Sequence, residues 1–270
     1  MNNSKEEIQR RIELRLGEEN VNNQGVLMKI IEYVGYSDIT VEFQDQYKGK
    51  VHTTYAHFKS GGVKNPYYPS VYGIGMVGDK YLRWKDSIPE KEYVAWVDVL
   101  KRCFSESFKK KNPTYKDVTC CEEWLLYENF YEWLHSQDNF DKWYNNKQWN
   151  VDKDILVKGN KLYSPETCCL VSNNVNCLFV KCVATRGDLP IGVRYNKVNK
   201  KFNVKISKHR NGKAVSEHIG VYDTSEEAFY AYKEAKESYI KQVAQEEYSL
   251  DNITKKCYDA MMSYEVEITD

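Results

Sequence analysis

From Gly192 to Asp223 apolar and polar residues alternate with a period of two, and a long helical stripe follows. This constrains the fold more than any other stretch. Phe202, Val204 and Ile206 alternate with Lys201, Asn203, Lys205 and Ser207, so an extended chain there has one apolar face and one polar, basic face. Gly192–Tyr195 and Ile219–Thr224 flank it as shorter segments of the same kind, which predicts three antiparallel strands. His209-Arg210-Asn211-Gly212 contains an Asn-Gly pair, a strong short-range hairpin signal. Thr224 is a natural N-cap, and Glu227 three residues on completes a capping box. Ala228, Ala231, Tyr232, Ala235, Tyr239 and Val243 then recur at helical spacing. That stripe needs the apolar face of the sheet, which leaves the basic face outward.

Charge follows the same geometry. Between Gly192 and Ser216 stand Arg194, Lys197, Lys200, Lys201, Lys205, Lys208, Arg210 and Lys213, with no Asp or Glu. The formal net charge of the whole chain is zero, so no global field draws it to nucleic acid and any such contact must be local. A small basic β-ribbon has the dimensions of a DNA major groove. The residues GVRYNKVNKKFNVKIS…IGVYDTSEEAFYAYKEA resemble the APETALA/ethylene-response-factor type of DNA-binding domain, in the form found in phage proteins and homing endonucleases. The resemblance covers roughly residues 192–244, within an expected domain at 186–246. It implies double-stranded DNA as the partner and a sheet docked in the major groove. The contacts it implies are Arg194, Asn196, Lys201, Asn203, Lys205, Lys208, Arg210, His218 and Tyr222. The first strand offers one Arg where plant members use more, so base readout is expected to be limited and phosphate contact dominant.

At 270 residues the chain has room for two or three small domains. No apolar run approaches the ~20 residues that span a bilayer, and the N-terminus is polar, so a cytoplasmic protein without membrane partners is expected. Tyr and Trp number 22 and 6, a usage suited to half-buried surfaces and interfaces. Eight cysteines are present, but none forms a C-x2-C pair. Reduced thiols filling core space are the expectation, with Cys120, Cys168, Cys177 and Cys182 as the alternative four-thiolate metal set.

Residues 1–80 read as a short helix carrying Ile8, Ile12 and Leu16, then a small β-barrel-like module. Its strands are expected at Val26–Val34, Ile39–Phe43 and Gly49–Phe58, with Tyr72–Val77 closing the sheet. From Glu90 the pattern turns helical. Tyr93, Trp96, Val97, Leu100 and Phe104 form a stripe, Lys109-Lys110-Lys111-Asn112-Pro113 a basic stop, and Glu122–His135 a second helix. The segments Trp149–Leu156, Leu162–Cys168 and Ser172–Phe179 have a hairpin-then-helix order. With the helices upstream they resemble phage HNH-type proteins over roughly residues 94–178, within an expected middle domain at 88–182.

That resemblance implies a ββα fold around one divalent metal, with a strand histidine as the general base that activates water. Here Lys153 stands at the histidine position after Asp152, and no histidine lies between His135 and His209. A lysine with an ordinary pKa of about 10.4 is protonated near neutrality and repels a divalent cation. Asp152, Asp154 and Asn176 remain as the set that an active site using magnesium would have to employ. The expectation is an HNH scaffold without its base that carries a DNA-binding sheet. A metal-dependent homing-type endonuclease is one alternative. An adaptor that binds a host defence protein through its aromatic surface is the other. No P-loop, dinucleotide glycine pattern or G-x-S-x-G elbow occurs, so no small-molecule cofactor is expected. Residues 247–270 are acidic, with Ile253, Tyr258, Met261 and Met262 sufficient for one docking helix. The whole chain is expected to be α+β.

Overall fold

The computed structural model describes residues 10, 12–180, 188–210, 213–268 and 270, without the side chains of 209, 210 and 213. It is an α+β chain of several small sheets, as the sequence predicts. Two compact units divide it, Met1–Leu134 and His135–Asp270, so the boundary falls inside the expected middle domain at 88–182.

In the first unit β1 (Glu19–Val21), β2 (Leu27–Gly35), β3 (Asp38–Phe43) and β4 (Lys50–Thr53) form an antiparallel sheet in the order β1-β2-β3-β4. Alternation places Ile39, Val41 and Phe43 of β3 in a core with Met28, Ile30, Tyr55, Phe58 and Val63. The expected strand Gly49–Phe58 stops at Thr53. Thr54 there accepts from the His57 amide and caps α1 (Tyr55–Lys59), a bond that a continued strand could not make. Tyr72–Val77 does not close the sheet either. It makes only isolated bridges, Val71 with Gly75 and Met76 with Leu126, and the four strands form an open meander rather than a barrel.

The hairpin β5 (Trp84–Lys85) and β6 (Ile88–Pro89) leads into α2 (Lys91–Phe104). The buried stripe of α2 is Glu92, Trp96, Val99, Leu100 and Cys103, one residue round from the expected Tyr93, Val97 and Phe104. The lysine run ends α3 (Glu106–Lys111), where the Lys109 ammonium donates to the carbonyls of Lys116 and Val118. After β7 (Thr119–Cys120), the expected helix Glu122–His135 begins as a single 3-10 turn and opens at the extended residue Leu126. It resumes as α4 (Tyr127–His135). The buried Glu128 carboxylate on α4 accepts from the Tyr67 hydroxyl at 3.1 Å and from the amides of Asp79 and Lys80 at 2.9 and 3.0 Å. Gly78 sits at φ +78°, and a Cβ there would overlap the Glu128 side chain, so this loop needs glycine.

In the second unit α5 (Phe140–Asn145) precedes β8 (Trp149–Asp152), which pairs antiparallel with β10 (Cys169–Ser172); β9 (Leu162–Tyr163) lies between them in sequence. α6 (Asn173–Asn176) follows directly, capped by the Ser172 hydroxyl. Then come β11 (Val193–Asn196), β12 (Lys201–Arg210) and β13 (Lys213–Tyr222), a sheet in the order β11-β12-β13, and the helices α7 (Ser225–Ser249) and α8 (Lys255–Met262). The Thr224–Glu227 capping box is present, as the sequence predicts. One core joins everything: Val171, Val175 and Leu178 from the hairpin region, Val193, Val204 and Ile206 from the sheet, Ala228, Tyr232 and Ile240 from α7, and Cys257 and Met261 from α8. The part of the expected 88–182 domain that falls in this unit and the expected 186–246 domain therefore share an apolar interior. Residues 247–270 pack through α8 onto the same interior instead of forming a loose acidic arm.

Burial lowers the pKa of the Lys236 ammonium on α7 to about 8, against an opposing influence from Cys177. The unfolded chain then binds more protons than the folded one between pH about 8 and the ordinary lysine value of 10.5, so stability rises with pH through that window. Lys236→Met should flatten this rise and raise stability at pH 7. Urea denaturation at pH 7 and 9.5 reads both effects.

Candidate nucleic-acid interface

The pairing register decides which side chains of the β11–β13 sheet face outward. Val193 pairs with Val204, Arg194 with Asn203, Tyr195 with Phe202 and Asn196 with Lys201. Between β12 and β13, Asn203 pairs with Val221, Lys205 with His218 and Ser207 with Ser216, after a bulge between Val204 and Lys205. Val193, Val204 and Ile206 are buried against α7. Strand alternation then sends Arg194, Asn196, Lys201, Asn203, Lys205 and His218 to the opposite, open face. Without the bulge, His218 would share the parity of Gly220 and Tyr222 and point at the helix; the extra residue, Ile219, reverses it.

An open groove of about 970 Å³ runs over this region. Arg194, Asn196, Lys197, Asn203, Lys205, Ser207 and Ser216 supply its polar lining, and no carboxylate lines it. Four of the residues expected to touch DNA thus meet at one surface. Lys197, Ser207 and Ser216 join them unannounced, although Ser207 shares the strand parity of Lys205 and could have been read from it. Lys201 lies on the open face and pairs with Asp223 at 2.9 Å. Both side chains are well exposed, so the pair is weak and a phosphate can displace Asp223.

Two expected contacts are on the wrong face. Lys208 has the parity of Val204 and Ile206, and its ammonium bonds Glu217 at 2.9 Å and stands 5.4 Å from the centre of the Tyr239 ring on α7. Its charge is spent closing the end of the sheet–helix sandwich. Tyr222 pairs with Phe202 and is half-buried against the core. The backbone of Arg210 pairs with Lys213, while its side chain and the Asn211-Gly212 turn lie outside the described residues.

The expected metal set is occupied by structural work. The Asp152 Oδ1 accepts from the amides of Asp154 and Ile155 at 2.8 and 2.9 Å, which makes it the anchor of the turn after β8. Burial, and then the neighbouring Asp154, push its carboxyl above the usual range. The ammonium of the buried Lys153 bonds Asp154 at 2.6 Å and the Asn160 carbonyl at 3.1 Å, so a fixed cation stands where a divalent ion would need anionic ligands. Asn176 ends α6 as a half-buried residue. These residues do not fit a magnesium site.

The thiolate set fares no better. Burial holds the Cys168 thiol up to about 12, and the thiol hydrogen bond with Cys257, together with burial, raises Cys169 well above its ordinary value. These are neutral core thiols. Cys120 belongs to the first unit, Cys177 is exposed, and Cys182 lies outside the described residues. Among the described residues no three His, Cys, Asp or Glu side chains gather as a metal-holding group.

No protein-family model, curated protein or solved structure matches this chain. Among the described residues no helix is long and apolar enough to cross a membrane.

Asp152→Asn keeps the accepting Oδ1 and removes the buried charge, and should leave stability at pH 7 unchanged or higher. Asp152→Ala strands two amides and should cost about 1–3 kcal/mol. Chemical denaturation of the pair checks the structural assignment, and equal losses in both variants would count against it.

Proposed function

We propose that this chain binds double-stranded DNA through the open face of β11–β13 and does not cut it. The observation that carries this reading is the groove in which Arg194, Asn196, Asn203 and Lys205 converge with no carboxylate in its lining. The likeness of residues 192–244 to APETALA/ethylene-response-factor domains of phage proteins supports the same reading. The cations at Arg194, Lys197, Lys201 and Lys205 neutralise phosphates and release counterions. Arg194 and Asn203 are directly opposed in the β11–β12 register, and they are the two residue types suited to bidentate contacts with guanine and adenine edges. With a single such pair, sequence preference is modest and salt dependence steep. A metal-dependent nuclease is disfavoured because Asp152 is bonded to backbone amides and Asp154 to Lys153.

A protein partner is the second reading, favoured by the β5–β6 hairpin of the first unit. Leu82, Trp84 and Ile88 are 74, 54 and 68 % exposed there, more apolar surface than a hairpin of this size needs. Capture of a host protein that survives nuclease treatment and is lost in Leu82→Ser/Trp84→Ser separates this reading from DNA binding.

Fluorescence anisotropy with a 20-base-pair duplex across a salt series tests the principal reading. Log affinity should fall by about 0.9 for each neutralised phosphate per decade of salt. Arg194→Ala and Lys205→Ala should each weaken binding and reduce that slope by about one, whereas Lys208→Met should leave the slope unchanged. Weak, salt-indifferent binding overturns the proposal. Nicking of supercoiled plasmid in magnesium that Asp152→Asn abolishes would overturn its non-cutting part.

A further inference from the structure

The first unit carries a separate groove of about 420 Å³, within the ~300–1,000 Å³ range of small-ligand sites. Its ionisable lining is His52, His57, Lys64 and Arg83, with no Asp or Glu among the lining residues. Three other lysines of this unit are ion-paired: Lys29 with Glu19, Lys59 with Glu18 and Lys80 with Glu128. The side chains of Lys64 and Arg83 have no ion pair or hydrogen bond among the described residues. The nearest carboxylate to any of the four is Asp38, 3.6 Å from the His52 Nε2, and both of those side chains are at least half exposed. His57 is held from the far side, its Nδ1 3.2 Å from the Thr53 hydroxyl. Its ring lies against Gly62, where a Cβ would overlap it, so the glycine makes room for the imidazole. Thr53 and Ser70 add hydroxyls, and Val51, Val63 and Val77 add an apolar wall.

We propose that this groove is a phosphate-binding site, taking the phosphate of a nucleic-acid backbone or of a free nucleotide. An Arg fork, a Lys point charge, two imidazoles and two hydroxyls are a donor set for a tetrahedral oxyanion. The apolar wall suits the sugar or base attached to it. Lys64 and Arg83 stand at one recess with two imidazoles and no lining carboxylate, so its electrostatics favour an anionic ligand. The source of the phosphate rests partly on the DNA-binding reading above; the site itself does not.

The test uses the full chain and Lys64→Ala/Arg83→Ala. Lys110→Ala/Lys111→Ala removes equal charge from the exposed end of α3 as a control. Inorganic phosphate, thymidine monophosphate and a 20-base-pair duplex are titrated while the His52 and His57 ring signals are followed by NMR. Saturable shifts of both rings with phosphate and the nucleotide, lost in the double variant and kept in the control, are expected. If DNA supplies the phosphate, the double variant also binds duplex at least tenfold more weakly than the control, with a salt slope smaller by about two. If a free nucleotide does, duplex affinity equals the control and only nucleotide binding is lost. Rings that do not respond to any of the three probes, or that respond equally in both variants, overturn the site. Failure of the sheet reading is separate: it shows as duplex binding indifferent to Arg194→Ala and Lys205→Ala, and the phosphate titration still decides this groove.

Discussion

Packing of Val193, Val204 and Ile206 against Ala228, Tyr232 and Ile240 is the contact on which the second unit depends. Burying each Val or Ile side chain contributes about 1.5–3 kcal/mol, so a slip of one residue along β12 would put that energy into water. The register is therefore fixed, and the fate of every alternate residue is fixed with it. Arg194, Asn203 and Lys205 face outward because their neighbours must face in. Gly192 shows how close this contact is: at φ +77° a Cβ would enter the Tyr232 ring. The DNA-binding reading is thus a consequence of apolar packing, and the cations are passengers on the sheet it orients.

The same core explains the hairpin region. Val171, Val175 and Leu178 reach the interior that the sheet, α7 and α8 also fill, so β8, β10 and α6 are held in place as part of one body. Under that constraint Asp152 ties down the turn after β8, and Lys153 balances Asp154 while bonding the Asn160 carbonyl. Asp152, Lys153 and Asp154 thus brace a corner of the fold.

Much of this was legible in the chain. The period-two alternation of Phe202, Val204 and Ile206 gives β12 and its faces, and the Thr224–Glu227 pair gives the start of α7. The parity of Lys208, shared with Ile206, was equally legible and marks it as inward-facing, against the expectation that it touches DNA. Other features were not legible. Gly49–Phe58 has the composition of a strand throughout, yet the Thr54 cap and burial of Tyr55 and Phe58 under β3 turn its second half into α1. The helix expected from Glu122 opens at Leu126 because Met76 pairs with that residue, a partner fifty positions away that no local pattern announces. The β12–β13 bulge, which decides where His218 points, leaves no mark on periodicity either.

By itself the sequence determined the α+β class, the three basic strands and their helix, and the absence of any histidine between His135 and His209. These are local properties, set by spacing along the chain and by residue type. Only the tertiary structure decided that the hairpin, sheet and C-terminal helix share one interior, and that Lys208 and Tyr222 turn inward. Only it gathered Arg194, Asn203 and Lys205 at one groove and His52, His57, Lys64 and Arg83 at another. The reason is physical: apolar burial and pairing register couple residues distant in sequence, and the position of a charge follows from which of its neighbours must leave water.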